Sequence, residues 1–300
     1  MIYFIKFKRK AAVLYTAGQY IKMEVMLMML GVTGCYTCTS LADRYAAHDV
    51  GFKGSEFTFL MCTSMSVFIA LTLPFQDIRF SVCWQSFAAI ILVAVCKYLE
   101  FEMSMIVMKV LSAFELKAWL GVNLFVSYFT EVIGGEPLRL ARVGCIVLTV
   151  IGLVLIVRSD KEEKTDYLKI LLPLVLYLFS KYGYSLVIKG FTPYVSSTVQ
   201  LLSALVIISV VMLFRVKPAE IFRKSKKGAA SVILARIPNA AGTLLENAVI
   251  AVSITSYSFI QPMILVSLFL IGAVRSKHHS AKELVGSVVC IAGIALFLFV

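Results

Sequence analysis

Long apolar runs separated by short polar segments dominate the chain. Ten of these runs approach the roughly 20 residues that an α-helix needs to cross a bilayer. They predict helices near 23–42, 55–74, 82–101, 110–133, 140–157, 167–188, 194–214, 229–250, 253–274 and 282–300. Because the runs are continuously apolar rather than alternating, the pattern indicates an all-α integral membrane protein.

The polar stretch RSDKEEKTD divides the predicted helices into five and five, and the halves resemble each other weakly. Gly144 and Gly152 in the fifth helix correspond to Gly286 and Gly293 in the tenth. Such small residues are predicted to let helices approach closely. Because each half has an odd number of helices, the two repeats are predicted to be inverted across the membrane. The predicted organisation is a basic interfacial segment 1–22, a first repeat 23–157, a linker 158–166 and a second repeat 167–300.

Composition supports the membrane interpretation and excludes several functions. Hydrophobic residues make up 60% of the chain and charged residues 15%, against about 25% charged in soluble domains. The net charge of +12 is dispersed over short loops, which favours contact with lipid headgroups over nucleic acid. The sequence has no Walker, HExxH or GxSxG motif, and the pair His278-His279 has no third metal ligand beside it. We therefore expect no enzyme activity, no cofactor and no metal.

A polar stripe in the eighth predicted helix is the strongest candidate site. Its members recur at i, i+3, i+7, i+10 and i+11, which places them on one helical face. They are Arg236, Asn239, Thr243, Glu246 and Asn247. Ionisable residues inside a membrane helix are costly and usually serve function, so the stripe is predicted to line a cavity. The alternative is a buried Arg–Glu network that only ties helices together.

Further candidates lie on the neighbouring helices. In the sixth, Lys181 with its flanking tyrosines is predicted either to bind a substrate carboxylate or to neutralise Glu246 or Glu115. Pro238 and Pro262 are predicted to interrupt the eighth and ninth helices and to free backbone carbonyls. The remaining predicted binding residues are Tyr177, Tyr184, Glu115, Trp119, Tyr36 and Gln261.

The charged residues of 97–109 receive a different interpretation. Lys97, Glu100 and Ser104 share one face near the predicted end of the third helix. We predict that these charges mark the membrane boundary and that the aliphatic parts of their side chains extend toward the lipid headgroups.

Two longer segments carry a family resemblance. YFTEVIGGEPLRLARVGCIVLTVIGLVLIV and SFIQPMILVSLFLIGAVRSKHHSAKELVGSVVCIAGIALFL resemble the ends of two EamA domains of the drug/metabolite transporter superfamily. The second copy departs from the first, because Lys277 and His278 stand near the position of Glu136. The resemblance implies ten helices in two inverted five-helix repeats, a central cavity and transport of small metabolites, often outward.

The predicted function is secondary transport, as an exporter or exchanger, of a small polar metabolite such as an amino acid. Glu246 or Glu115 is the predicted carrier of a coupling proton. A nucleotide-sugar or other phosphorylated-metabolite transporter of the same superfamily is the alternative. It is suggested by the resemblance of Lys109 and Lys117 to the lysine that nucleotide-sugar transporters place between these helices. A membrane-embedded enzyme and a structural or lipid-scrambling protein are the other classes.

The predicted location is a bacterial plasma membrane, where the chain is multi-pass, contacts lipid and acts as a monomer or homodimer. The family pattern places both termini in the cytoplasm. The distribution of Lys and Arg favours the opposite orientation.

Overall fold

The computed structural model describes residues 23–43, 45–46, 49–76, 78–111, 116, 119–159, 167–275 and 281–299. The predicted interfacial segment 1–22 and most of the linker lie outside these ranges. The described helices are α1 Met23–Asp43, α2 Gly54–Thr72, α3 Trp84–Met108, α4 Val122–Ile133, α5 Leu140–Ser159, α6 Tyr167–Phe191, α7 Ser197–Leu213, α8 Pro218–Lys224, α9 Lys226–Val252, α10 Ile254–Arg275 and α11 Ala281–Phe299. A short 3-10 helix, Leu73–Phe75, extends α2.

Several helices have the length and composition needed to cross a bilayer. Five segments of the described chain meet this requirement: Met23–Asp43, Gly54–Phe75, Ile170–Phe191, Lys226–Val252 and Ile254–Ile271. α7 and α8 meet at 84° and add a sixth if they form one broken span. A helix suits this environment because it satisfies its backbone hydrogen bonds internally. The chain is an α-helical protein with apolar helices of membrane-spanning length.

The helices occupy the predicted apolar runs, with three informative differences. α3 continues to Met108, past the predicted end at 101. The helix that ends at Ile133, α4, begins at Val122, and a turn at residues 120 and 121 separates it from Leu116 and Trp119, which are also helical. The predicted breaks at Pro238 and Pro262 are wrong, because both prolines lie inside continuous helices. Transmembrane helices tolerate proline where neighbouring groups satisfy the freed carbonyl.

Consecutive long helices run in alternating directions, which defines two ends of the bundle. We call the end where α5 ends and α6 begins the linker end. There, Lys224 Nζ donates to the Gly51 carbonyl at 2.8 Å and lies 3.1 Å from Glu56 Oε2. At the far end, the starts of α1, α5 and α10 meet the ends of α4, α6, α9 and α11 around one cavity. The loop before α3 also pairs with the loop before α7 through a bridge between Phe80 and Val195.

Helices α5 and α11 pack closely along their length through glycine. A Cβ added to Gly152 would lie 2.5 Å from the Cys290 nitrogen, and one added to Gly293 would lie 2.9 Å from the Cys145 carbonyl oxygen. Such separations exclude any side chain larger than hydrogen without movement of the backbone. The prediction that small residues in these helices let helices approach closely is therefore confirmed, and the structure shows that the two helices approach each other.

Candidate functional site

A polar cavity of about 100 Å³ lies between α1, α2, α3, α6, α9 and α10, toward the linker end. Its polar lining includes Tyr36, Ser40, Asp43, Lys97, Glu100, Ser104, Tyr177, Lys181, Asn239, Thr243 and Gln261. One wall is apolar and rich in methionine, with Met61, Met65 and Met108. Small-molecule sites commonly reach about 300–1,000 Å³, so this conformation suits a ligand of few atoms.

Two lysines and two glutamates form a buried chain of charges across the cavity wall. Lys181 Nζ lies 2.6 Å from Glu100 Oε1 and 3.9 Å from Glu246 Oε1. Lys97 Nζ donates to Glu100 Oε2 at 2.9 Å. Each of these side chains is at most 9% exposed. Charges this deeply buried are stable only when they are paired, so the chain ties α3, α6 and α9 together.

Glu246 is held from the first helix as well. The Tyr36 hydroxyl donates to Glu246 Oε2 and lies 3.0 Å from Thr243 Oγ1. Glu246 is fully buried, and its Oε1 accepts no hydrogen bond from the described residues. One carboxylate oxygen is thus satisfied by tyrosine, while the other faces Lys181 beyond hydrogen-bonding distance.

A second ion pair stands nearer the linker end. Arg236, which is fully buried, pairs with Asp43 through Nη2 and contacts Met61 Sδ through Nη1. Its Nε donates to the Val232 carbonyl at 3.1 Å. Asp43 lines the cavity, so the pair joins α1 and α9 beside it.

The six charges of the cluster balance. Three cations and three anions sum to zero; they are Lys97, Lys181, Arg236, Asp43, Glu100 and Glu246. A balanced cluster attracts neither a strongly anionic nor a strongly cationic ligand over a neutral one. The described residues include no group of three His, Cys, Asp or Glu side chains placed to hold a metal ion.

Polar contacts separate this cavity from the far end. Tyr184 donates its hydroxyl to Asn247 Oδ1 at 2.6 Å, and Ser127 and Ser258 are joined by a 2.6 Å hydrogen bond. Lys97 Nζ lies 3.8 Å from the Tyr184 ring centroid, a cation–π distance. Along α6, α9 and α10, Tyr184, Asn247 and Ser258 lie between the residues that line the polar cavity and those that line the far-end cavity.

The structure brings most of the predicted binding residues together. All five stripe residues of α9 are buried, but only Asn239 and Thr243 line the cavity. The other three do not line it and hold Asp43, Tyr36 and Tyr184. Arg236 and Glu246 thus tie helices together, as the alternative predicted, but through partners on other helices. Four more predicted residues line the cavity: Tyr36, Tyr177, Lys181 and Gln261.

Trp119 lies apart from the other predicted binding residues. It is 40% exposed and does not line the cavity. The helical spacing used to predict it fails because a turn separates it from α4. Glu115, predicted on the same face, lies outside the described residues.

The boundary interpretation of Lys97 and Glu100 is also wrong. They are only 3% and 7% exposed, because α3 extends to Met108 and carries them into the bundle. Asp43, which also lines the cavity, was not predicted. For Lys97, Glu100 and Ser104, the signal in the sequence was their spacing on one helical face, since all three line the cavity.

Comparison with known proteins gives a fold and no function. No family model matches the chain, and no curated protein matches it. Among 21 similar chains of solved structures, one described as "Crystal structure of protein" aligns with a TM-score of 0.61. The alignment covers 91% of this chain and 95% of the other at 14% identity. At this identity the likeness shows the fold alone.

Proposed function

We propose that this protein is a secondary transporter of a small, net-neutral polar metabolite, such as a zwitterionic amino acid. The observation that carries the proposal is the buried, charge-balanced cluster around a cavity. Five of the six charged side chains are buried and Asp43 is partly buried beside them. Burying these charges is costly, and a protein that needed only helix packing would gain as much from apolar contacts. A zwitterion can exchange with the internal ion pairs at little cost, because it presents one charge of each sign.

The position of the cavity supports alternating access. It lies toward the linker end, and the Tyr184–Asn247 and Ser127–Ser258 contacts lie between it and the far end. A second cavity of about 540 Å³ lies beyond that layer. Opening the far end and closing the linker end would change the side of the membrane from which the site is accessible.

The packing of the helices supports two inverted five-helix repeats of the EamA type. Contacts across the halves come in reciprocal pairs, since α3 packs on α7 as α2 packs on α9. α5 packs on α11, and α4 on α10. Together with the alternating helix directions, this arrangement fits ten spans, with α7 and α8 counted as one.

The test is solute counterflow in proteoliposomes loaded with unlabelled amino acids. We expect labelled zwitterionic amino acids to accumulate transiently, and Asn239→Leu to reduce the initial rate about tenfold by removing a polar wall group. Ile237→Leu is the matched control, because Ile237 lies on the same helix and is 52% exposed. Exchange of nucleotide sugars instead would favour the phosphorylated-metabolite alternative. A folded protein that exchanges neither class would refute transport of both kinds.

A further inference from the structure

The far-end cavity is a candidate site in its own right. Its volume of about 540 Å³ falls within the range of small-molecule sites. The walls combine apolar side chains with charged ones from α4, α5 and α6. No residue of the charge-balanced cluster lines it.

Two of its charged residues already serve the fold. Glu131 accepts from the Ile254 backbone nitrogen at 2.7 Å and from Thr255 Oγ1 at 2.6 Å. A carboxylate in this position caps the first turn of α10. Lys189 Nζ lies 3.5 Å from Glu131 Oε1. These two side chains therefore neutralise each other and hold α4, α6 and α10 together.

Arg142, in the first turn of α5, has no such role. Its guanidinium carbon lies 5.4 Å from the centroid of the Phe297 ring, which orients the group over an apolar surface. Its Nε is buried without a hydrogen-bond acceptor, and no carboxylate of the described residues pairs with it. A buried donor without an acceptor is unfavourable until a ligand supplies one.

We propose that the far-end cavity binds an anionic group, either carboxylate or phosphate, with Arg142 as its anchor. The planar guanidinium presents two parallel N–H donors, which match the paired oxygens of both groups. Apolar lining from Val25 and Phe297 gives room for hydrocarbon beside the anion. The same chemistry therefore fits a soluble anion and the phosphate of an anionic lipid. Two lining carboxylates carry the same charge as the ligand: Lys189 neutralises Glu131, and Glu136 is exposed.

The test measures thermal stability of the full chain in neutral detergent. Inorganic phosphate and phosphatidylglycerol are titrated separately, with phosphatidylcholine, which is zwitterionic and has no net charge, as the lipid control. We expect a concentration-dependent rise in Tm with phosphate, phosphatidylglycerol or both. A rise with phosphate identifies a site for soluble anions. A rise with phosphatidylglycerol alone identifies a lipid headgroup site.

Substitutions at and near the cavity test whether the rise in Tm depends on Arg142. Arg142→Gln should weaken binding about tenfold or more, since it removes a charged hydrogen-bond donor. Arg139→Gln is the matched control, because Arg139 precedes α5 at the same end and does not line the cavity. Glu136→Gln should bind as tightly as the wild type or more tightly.

Two results would overturn the proposal. One is the absence of any shift with either probe in a folded wild-type protein. The other is an Arg142→Gln variant that binds as the wild type does. If Arg142→Gln does not fold, Arg142→Lys is the deciding variant, because lysine keeps the positive charge but lacks the two parallel N–H donors of the guanidinium. Unchanged affinity in Arg142→Lys would contradict bidentate anchoring.

Discussion

Replacing Lys181 with methionine should destabilise the protein severely. Methionine keeps most of the length of the side chain but removes the ammonium that lies 2.6 Å from Glu100 and 3.9 Å from Glu246. The cluster then holds two cations and three anions, so one buried negative charge is uncompensated. Removing one partner of a buried ion pair costs about 3–5 kcal/mol, and we expect a loss in this range.

A second substitution should recover part of that loss. Adding Glu246→Gln to Lys181→Met restores two cations and two anions while keeping an oxygen for the Tyr36 hydroxyl. We expect the double variant to be more stable than the sum of the single effects by about 1–3 kcal/mol, as for other contacting residues. Lys189→Met is the matched control. Its side chain is 38% exposed and its pair with Glu131 spans 3.5 Å, so the cost should stay near 1 kcal/mol or below.

The assay is unfolding of the purified protein in mixed micelles of increasing denaturing-detergent content, followed by helical circular dichroism. Equal stability losses in Lys181→Met and Lys189→Met would refute the assignment of Lys181 to a buried network. Strict additivity in the double variant would show that Lys181 and Glu246 do not interact.

Two further predictions concern helix packing and thiol chemistry. Gly152→Ala should cost about 1–3 kcal/mol, because its Cβ would lie 2.5 Å from the Cys290 nitrogen. Gly144→Ala in the same helix, where the added Cβ meets nothing within 4 Å, should be neutral or stabilising; equal losses in the same unfolding assay would contradict the close approach of α5 and α11. At Cys83, the Ser86 hydroxyl 3.3 Å from the thiol lowers the pKa of Cys83 by stabilising the thiolate. Ser86→Ala should therefore shift the maleimide alkylation rate of Cys83 to higher pH, slowing it at neutral pH but not at strongly alkaline pH; peptide mass spectrometry would measure this, and an unchanged profile would count against the hydrogen bond.

The positions of the helices could be predicted from the sequence, because helix formation in a membrane depends on local properties. A run of about 20 apolar residues requires an internally bonded helix wherever it sits in the chain. The glycines of α5 and α11 indicated close helix packing for a similar reason, since only residues without bulky side chains permit it. That these two helices pack on each other is known only from the structure. The polar stripe of α9 was also local, as helical periodicity alone places its residues on one face.

Tertiary structure decided which polar groups meet. The spacing of Lys97 and Glu100 fits either a membrane boundary or a buried face, and only contact with Lys181 on α6 distinguishes them. Arg236 was visible in the sequence, but Asp43, which neutralises it, lies on another helix and could not be assigned. Trp119 lies away from the cavity because its predicted face required one continuous helix. A turn at residues 120 and 121 separates it from α4, which begins at Val122. Periodicity fixes the direction of a side chain around its own helix, whereas ion pairing depends on the neighbouring helix and on its depth in the bundle.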